Sequence, residues 1–242
     1  MQLSELLREE PVISITIDIE WGPDELIEYT LSHLDNFGII ATFFCTHKHG
    51  VKIRGHEIAV HPNFNKCDDY AYTLEKLIKI FPQAKGIRSH SLFTCSRLYP
   101  IYKRFGITYE SNYFMYNCPN IFPFFMLNDI LEIPIFFMDS SHIIRCKKDT
   151  FKLKSLKLET PGLKVFAFHP IHLFLNTREI NAYISAKPFL HQPEKLAEFR
   201  NQKVGIENLF FDLLNYITSE ELTVVTLIEL DKKWRKEHKL SG

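Results

Sequence analysis

Ile13–Trp21 reads ISITIDIEW, an apolar run of strand-forming residues that ends in two carboxylates, Asp18 and Glu20. Residues i and i+2 of a strand point to the same face, so the stretch predicts two acids side by side where a buried strand emerges from the core. A helix cap at Asp18 with a solvent-facing Glu20 is the alternative reading. The rest of the chain decides between them.

Working outward, Asp24 reads as an N-cap, and Leu26, Ile27, Thr30, Leu31, Leu34 and Phe37 recur at helical spacing until Gly38. IIATFFCT then reads as a second buried strand. Strand, helix, strand with short connections is the pattern of a parallel sheet with crossover helices. The alternation continues with strands over Glu57–His61, Gly86–Arg88, Ile107–Glu110, Leu131–Phe137, Leu163–His169 and LTVVTLI (Leu222–Ile228). Helices are expected from Asp68 or Asp69, over Ser96–Phe105, over Ile206–Ile217 and in the charged tail. With 242 residues, 45% of them hydrophobic, the chain suits one α/β barrel domain with a sizeable core.

Lys+Arg and Asp+Glu both number 29, which argues against a nucleic-acid footprint or an anionic membrane surface. MQLSELLREEPVIS lacks the basic start and apolar core of a secretory signal, and no apolar run reaches membrane-spanning length. A cytoplasmic protein without membrane insertion is expected. Cys45, Cys67, Cys95, Cys118 and Cys146 are widely spaced and odd in number, so they read as reduced, mostly buried thiols.

Apolar strands end repeatedly in ionisable groups: TIDIE, EIAVHPN, GIRSHS, IFFMDSS and FAFHPIH. In α/β barrels, catalytic residues come from the C-terminal ends of several strands. His61, His90 and His169, with Asp18 and Glu20, supply the nitrogen and oxygen ligands of a divalent metal such as zinc and leave positions for water and substrate. Each histidine taken singly is more often structural. Together they favour a shared site.

TIDIEW, ATFFCT, GHEIAVHPN, GIRSHSLF, FAFHPIH and VVTLIEL, in that order, resemble the successive motifs of the polysaccharide deacetylase superfamily, the NodB-homology domain of carbohydrate esterase family 4. The resemblance implies a distorted (β/α) barrel of about seven parallel strands, one catalytic domain over residues 1–242. It further implies one divalent metal, zinc first with manganese, cobalt or nickel as alternatives, and removal of an acyl group from an amino sugar. Asp18 matches the general base, Glu20 resembles the metal-binding carboxylate of DxE variants, His61 matches the first metal histidine and His169 the general acid. Arg88 takes the place that orients the base.

Two departures stand out. The second metal histidine, four residues after the first, is here Asn65, and the third motif reads Arg88, Ser89, His90, Ser91. His90 is therefore expected to supply the missing ligand. With HPNF and RSHS the chain resembles a subgroup associated with bacterial surface polysaccharide. Asp139 is expected to partner Arg88 or meet substrate, and His172, Asn176 and Asn112 to line the substrate pocket. His56 reads as structural, and Tyr113, Phe114 and Tyr116 read as core in preference to a sugar-stacking platform.

The function expected is cytoplasmic, metal-dependent deacylation of an N-acylated sugar, a precursor of surface polysaccharide, with no nucleic-acid partner. Hydrolysis of a non-sugar amide is one alternative. A carbohydrate-binding pseudoenzyme, motivated by Asn65, is the other.

Overall fold

In the computed structural model, residues 2–65, 67, 69–145 and 151–239 are described. Helix α1 (Leu3–Glu9) leads into β1 (Pro11–Asp18), followed by α2 (Asp24–Phe37), β2 (Ala41–Cys45), β3 (Glu57–Val60), α3 (Tyr70–Ile80), β4 (Gly86–Ile87) and α4 (Leu98–Arg104). Next come β5 (Tyr109–Glu110), β6 (Phe124–Phe125), β7 (Leu131–Glu132), β8 (Phe137–Met138), α5 (Asp139–Arg145) and β9 (Gly162–Phe168). Helices α6 (Pro170–Phe174), α7 (Ile180–Ala186), α8 (Pro193–Glu198), α9 (Ile206–Ser219) and α10 (Leu227–Glu237) complete the chain.

The strands form one sheet in the order β6-β7-β5-β4-β3-β2-β1-β9-β8, parallel except for the β6–β7 pair. Strand β1 lies between β2 and β9 and is buried from Val12 to Asp18 without alternation. That is how a strand covered on both faces reads. The core it anchors includes Ile13, Ile15, Ile17, Phe43, Phe44, Val165, Phe166 and Phe168.

The expected strand Leu131–Phe137 is in fact two strands. Leu131–Glu132 pairs with β5 near one edge, whereas Phe137–Met138 pairs with β9 at the other. Only residues 133–136 join them, and a chain advances at most about 3.6 Å per residue. So short a link requires the sheet to curl until its edges approach, which yields the distorted, incompletely closed barrel. Backbone bonds from 113–117 to Ile135 and Phe136 fill the gap between the edges.

Other expectations shift in detail. LTVVTLI contributes one bridge, Val224 to Ile13, before Thr226 caps α10 through a capping box with Glu229. Asp24 is the first helical residue of α2, with Pro23 at the cap, and its carboxylate accepts the Gly50 amide at 2.8 Å. Asp69 caps α3 by accepting from Tyr72 N at 2.9 Å, and Asp68 lies outside the described residues. Of the cysteines, Cys45 is buried, Cys67, Cys95 and Cys118 are half-buried, and Cys146 lies outside the described residues. Among the described residues, no helix is long and apolar enough to cross a membrane.

Candidate active site

Asp18 closes β1 at 2% exposure, and Arg88, fully buried just past β4, reaches across to it. Arg88 Nη1 donates to Asp18 Oδ1 at 2.8 Å and to Thr16 Oγ1 at 2.7 Å. Its Nε donates to Ser111 O at 3.0 Å and Nη2 to Ser111 Oγ at 2.8 Å, while the Phe44 ring lies 4.3 Å from its guanidinium carbon. The guanidinium is therefore fixed on every edge, and it fixes one oxygen of Asp18. The other oxygen, Oδ2, faces His169 Nε2 at 3.9 Å.

Glu20 reaches the same place by a different route from the one strand alternation predicts. It lies beyond β1 in the left-handed region (φ 48°), and Thr46 Oγ1 donates to its carbonyl. This uncommon backbone turns the side chain back over the strand end. Glu20 Oε1 lies 3.2 Å from His90 Nδ1, 3.5 Å from His61 Nε2 and 3.6 Å from His169 Nε2. Burial alone would raise its carboxyl, but the adjacent His61 imidazole, the hydrogen bond with His90 and the charge of His169 hold it well below the usual carboxylate range.

His61 is 3% exposed, and neither ring nitrogen has a hydrogen-bond partner among the described residues. A buried imidazole with both nitrogens unmet is costly unless something else binds it. Ligand atoms of Glu20, His61 and His90 lie within 4.8 Å of one another. Two imidazoles and a carboxylate match the donor set of a divalent zinc-type site with open positions. Asn65 lines the same cavity but commits its side-chain amide to the backbone. Its Nδ2 donates to the His90 carbonyl at 3.0 Å, so the residue at the departing position braces His90.

Asp139, His169 and His172 form a second close group. Its carboxylate is already spent: Asp139 Oδ1 accepts from His169 Nδ1 at 2.6 Å and from Ser140 N at 2.5 Å, and Oδ2 accepts from His169 N at 2.6 Å. Asp139 thus partners His169, and Arg88 belongs to Asp18. Burial opposes its charge, yet the imidazolium and hydrogen bonds of His169 keep the Asp139 carboxyl below its ordinary value. Burial likewise opposes protonation of His169, but Asp139, with Asp18 and Glu20, pushes it up to about 10. His172 is driven the other way, down to about 4, by burial. Its Nδ1 sits 3.1 Å from Thr177 Oγ1.

These groups open into a cavity of about 680 Å³, lined also by Trp21, Leu26, Leu92, Met138, Tyr183 and Lys187. The volume lies within the range of small-ligand sites. Trp21 packs edge-on against His90 with ring centroids 5.0 Å apart. The wall formed by half-buried Tyr183 and exposed Lys187 comes from α7 and the turn after it, where no apolar strand runs into an ionisable residue to signal a site.

Asn112 and Asn176 lie outside that cavity. Asn176 Nδ2 donates to Asn201 O, Lys203 O and Asn208 Oδ1, and its Oδ1 accepts from Glu207 N, so it ties the 201–205 loop to the start of α9. Asn112 Oδ1 accepts from Ser89 N at 2.9 Å and its Nδ2 donates to Glu110 Oε2 at 2.6 Å, which anchors the segment between Arg88 and His90. Glu132 accepts from Asn112 N at 3.1 Å and Tyr113 N at 3.0 Å.

Glu110 and Glu132 are register partners on β5 and β7, both fully buried, and Glu110 Oε1 has no partner among the described residues. Burial, and for Glu132 the neighbouring Glu110 charge, raises both carboxyls. A carboxyl raised in the folded state retains a proton that the unfolded chain has lost. Stability therefore falls as pH climbs from the unfolded value through the folded one, by up to about 1.4 kcal/mol per pH unit for one proton. Glu132→Gln keeps an acceptor without the charge. Its urea midpoint is expected to gain on that of the unaltered chain as pH rises above the ordinary carboxylate value of 4.5; parallel curves would mean the pair holds no extra proton.

The family profile of WbmS-like polysaccharide deacetylases matches residues 15–187. No curated protein matches the chain. Among solved structures, a Bordetella bronchiseptica protein assigned as a polysaccharide deacetylase of O-antigen biosynthesis superposes with a TM-score of 0.77 at 23% identity, over 86% of this chain and 91% of that one. A polysaccharide deacetylase assignment from Mycobacterium smegmatis gives 0.50 at 19% identity, over 90% and 93%. A carbohydrate esterase family 4 pseudoenzyme from Bacillus anthracis gives 0.50 at 14%, over 93% and 66%. At these identities the superpositions speak for the fold.

Proposed function

The chain belongs to the WbmS-like polysaccharide deacetylase family, and from that membership we propose that it removes the N-acyl group of an amino sugar in a cytoplasmic precursor of bacterial surface polysaccharide. Enzymes of this family are hydrolases of carbon–nitrogen bonds other than peptide bonds. The observation that carries the reading is the convergence of Glu20, His61 and His90 beside an Arg88-held Asp18 and an Asp139-held His169.

Glu20, His61 and His90 would hold one divalent metal, zinc by its preference for this donor set. Such an ion supplies Lewis acidity at the acyl carbonyl and acidifies water. Asp18, with Oδ1 taken by Arg88, keeps Oδ2 to accept a proton from the attacking water. His169, protonated and fixed through Nδ1 by Asp139, carries its transferable proton on Nε2 and delivers it to the departing nitrogen. Arg88 acts as a positioning residue. Trp21, Leu26 and Tyr183 give the cavity the apolar surfaces on which a sugar ring can lie.

His90→Ala tests the ligand set. Loss of an outer-shell partner already costs metal sites about 10–100-fold in affinity, so loss of a ligand is expected to weaken zinc binding at least that much. Competition with a chromogenic chelator measures it, and unchanged affinity would remove His90 from the site. Acetate release from N-acetylated sugar nucleotides, compared with simple linear amides, tests the substrate class.

A further inference from the structure

At the other end of the sheet lies a second cavity of about 600 Å³. Its lining residues Lys85, Thr108 and Ile130 immediately precede the parallel strands β4, β5 and β7, whereas Asp18 ends β1 and His61 and His169 follow β3 and β9. The cavity therefore opens on the face opposite the active site.

Its charge is one-sided. Lys85, Lys103, Lys232, Arg235 and Lys236 line it against only Asp129 and Asp231, in a chain with no net charge. Asp231 is already neutralised: Oδ1 accepts from Arg235 Nε at 2.7 Å and Oδ2 from Thr108 Oγ1 at 2.7 Å. Asp129 lies 3.8 Å from Lys103, both more than half exposed. Among the described residues, Lys85, Lys232 and Lys236 have no carboxylate partner. Lys85 Nζ stands over Gly106, 3.4 Å from where a Cβ would be.

Arg235 is the built part of the site. It is 5% exposed, with Nε on Asp231, Nη2 on the Asp129 carbonyl at 2.6 Å and on the Thr108 carbonyl, and its guanidinium carbon 5.4 Å from the Phe125 ring centre. Nη1 has no partner among the described residues, and it is not sealed from solvent either. A guanidinium locked on two edges thus presents its third to the cavity. Arginine held in this way recognises phosphate oxygens directionally, and lysines around it add point charges. Ile107, Ile130 and Ile228 supply an apolar floor for the remainder of a ligand.

We propose that this cavity binds the phosphate or diphosphate group of a small phosphorylated molecule, with Arg235 Nη1 and the Lys85, Lys232 and Lys236 ammonium groups as its contacts. Calorimetric titration with inorganic pyrophosphate tests it. One equivalent is expected to bind, and Lys232→Glu with Lys236→Glu is expected to weaken binding about tenfold or more. Both lysines are exposed, so the melting temperature without ligand should hold.

Two controls locate the effect. The same charge change at exposed Lys76 and Lys79 on α3, and Lys187→Ala in the catalytic cavity, should leave binding unchanged. Absence of pyrophosphate binding, equal weakening by the α3 pair, or loss on Lys187→Ala alone would overturn the proposal. Sedimentation with phosphatidylcholine vesicles containing phosphatidic acid separates the two sources of the group. Retention that the Lys232/Lys236 variant loses identifies a lipid headgroup, and no retention beside intact pyrophosphate binding identifies a soluble ligand.

Discussion

Asp18→Asn is expected to lower turnover of an N-acetylated sugar about 10²–10⁴-fold, the usual contribution of a positioned general base, while the protein still binds zinc. The separation follows from geometry. Asp18 Oδ1 is committed to Arg88, and the metal-type cluster consists of Glu20, His61 and His90 without it. Asparagine retains an oxygen for Arg88 but turns an amide in place of Oδ2 toward His169 and has no basic oxygen left. Because Arg88 is fully buried, removing its counter-charge also costs stability, below the roughly 3–5 kcal/mol of a completely broken buried pair since the hydrogen bond survives. Melting temperature, zinc content and turnover measured on one preparation keep these effects apart. A folded variant that loses zinc would make Asp18 a ligand, and one with ordinary turnover would dismiss it as the base.

Much of this arrangement is legible in sequence because parallel barrels place chemistry at strand ends, and strand ends are marked by apolar runs that stop at ionisable residues. That rule locates Asp18, His61, Arg88, His90, Asp139 and His169 from local pattern alone. It does not reveal how Glu20 arrives, since a positive φ in a non-glycine residue leaves no trace in residue type. Nor does it distinguish Asn112 and Asn176, whose amides hold backbone outside the cavity, from side chains that face substrate. Asn112 stands just past a strand end and Asn176 just past an apolar run, and both are polar; only their hydrogen bonds separate the roles. The division of Leu131–Phe137 into strands at distant positions in the sheet order is equally silent, because residues 133–136 stay buried and apolar while the chain crosses the closing gap.

Asp139→Asn should strike the other half of the proton path. The Asp139 carboxylate, fully buried, accepts from both Nδ1 and the backbone amide of His169, and it is the leading cause that offsets burial and pushes the imidazole up to about 10. A folded-state value raised above the ordinary 6.5 means the protonated ring contributes stability that is complete below 6.5 and is lost as pH rises through about 10. In the proposed mechanism the same interval sets the activity, because only a protonated ring can serve the leaving nitrogen. With asparagine the charge disappears and burial regains the upper hand. The basic limb of the turnover profile should therefore move toward neutral pH, and above that limb the deficit should grow by about tenfold per pH unit. Asp18 and Glu20 still face Nε2 at 3.9 and 3.6 Å, so the shift should be partial. Turnover measured from about pH 5 to about pH 10 on both proteins reads the displacement directly. An unmoved basic limb would mean either that another group protonates the leaving nitrogen or that Asp139 orients His169 without setting its charge. Zinc affinity, which the substitution should leave within a few-fold because Asp139 is outside the Glu20, His61 and His90 set, shows that the shift arises from the proton path and not from an altered metal site.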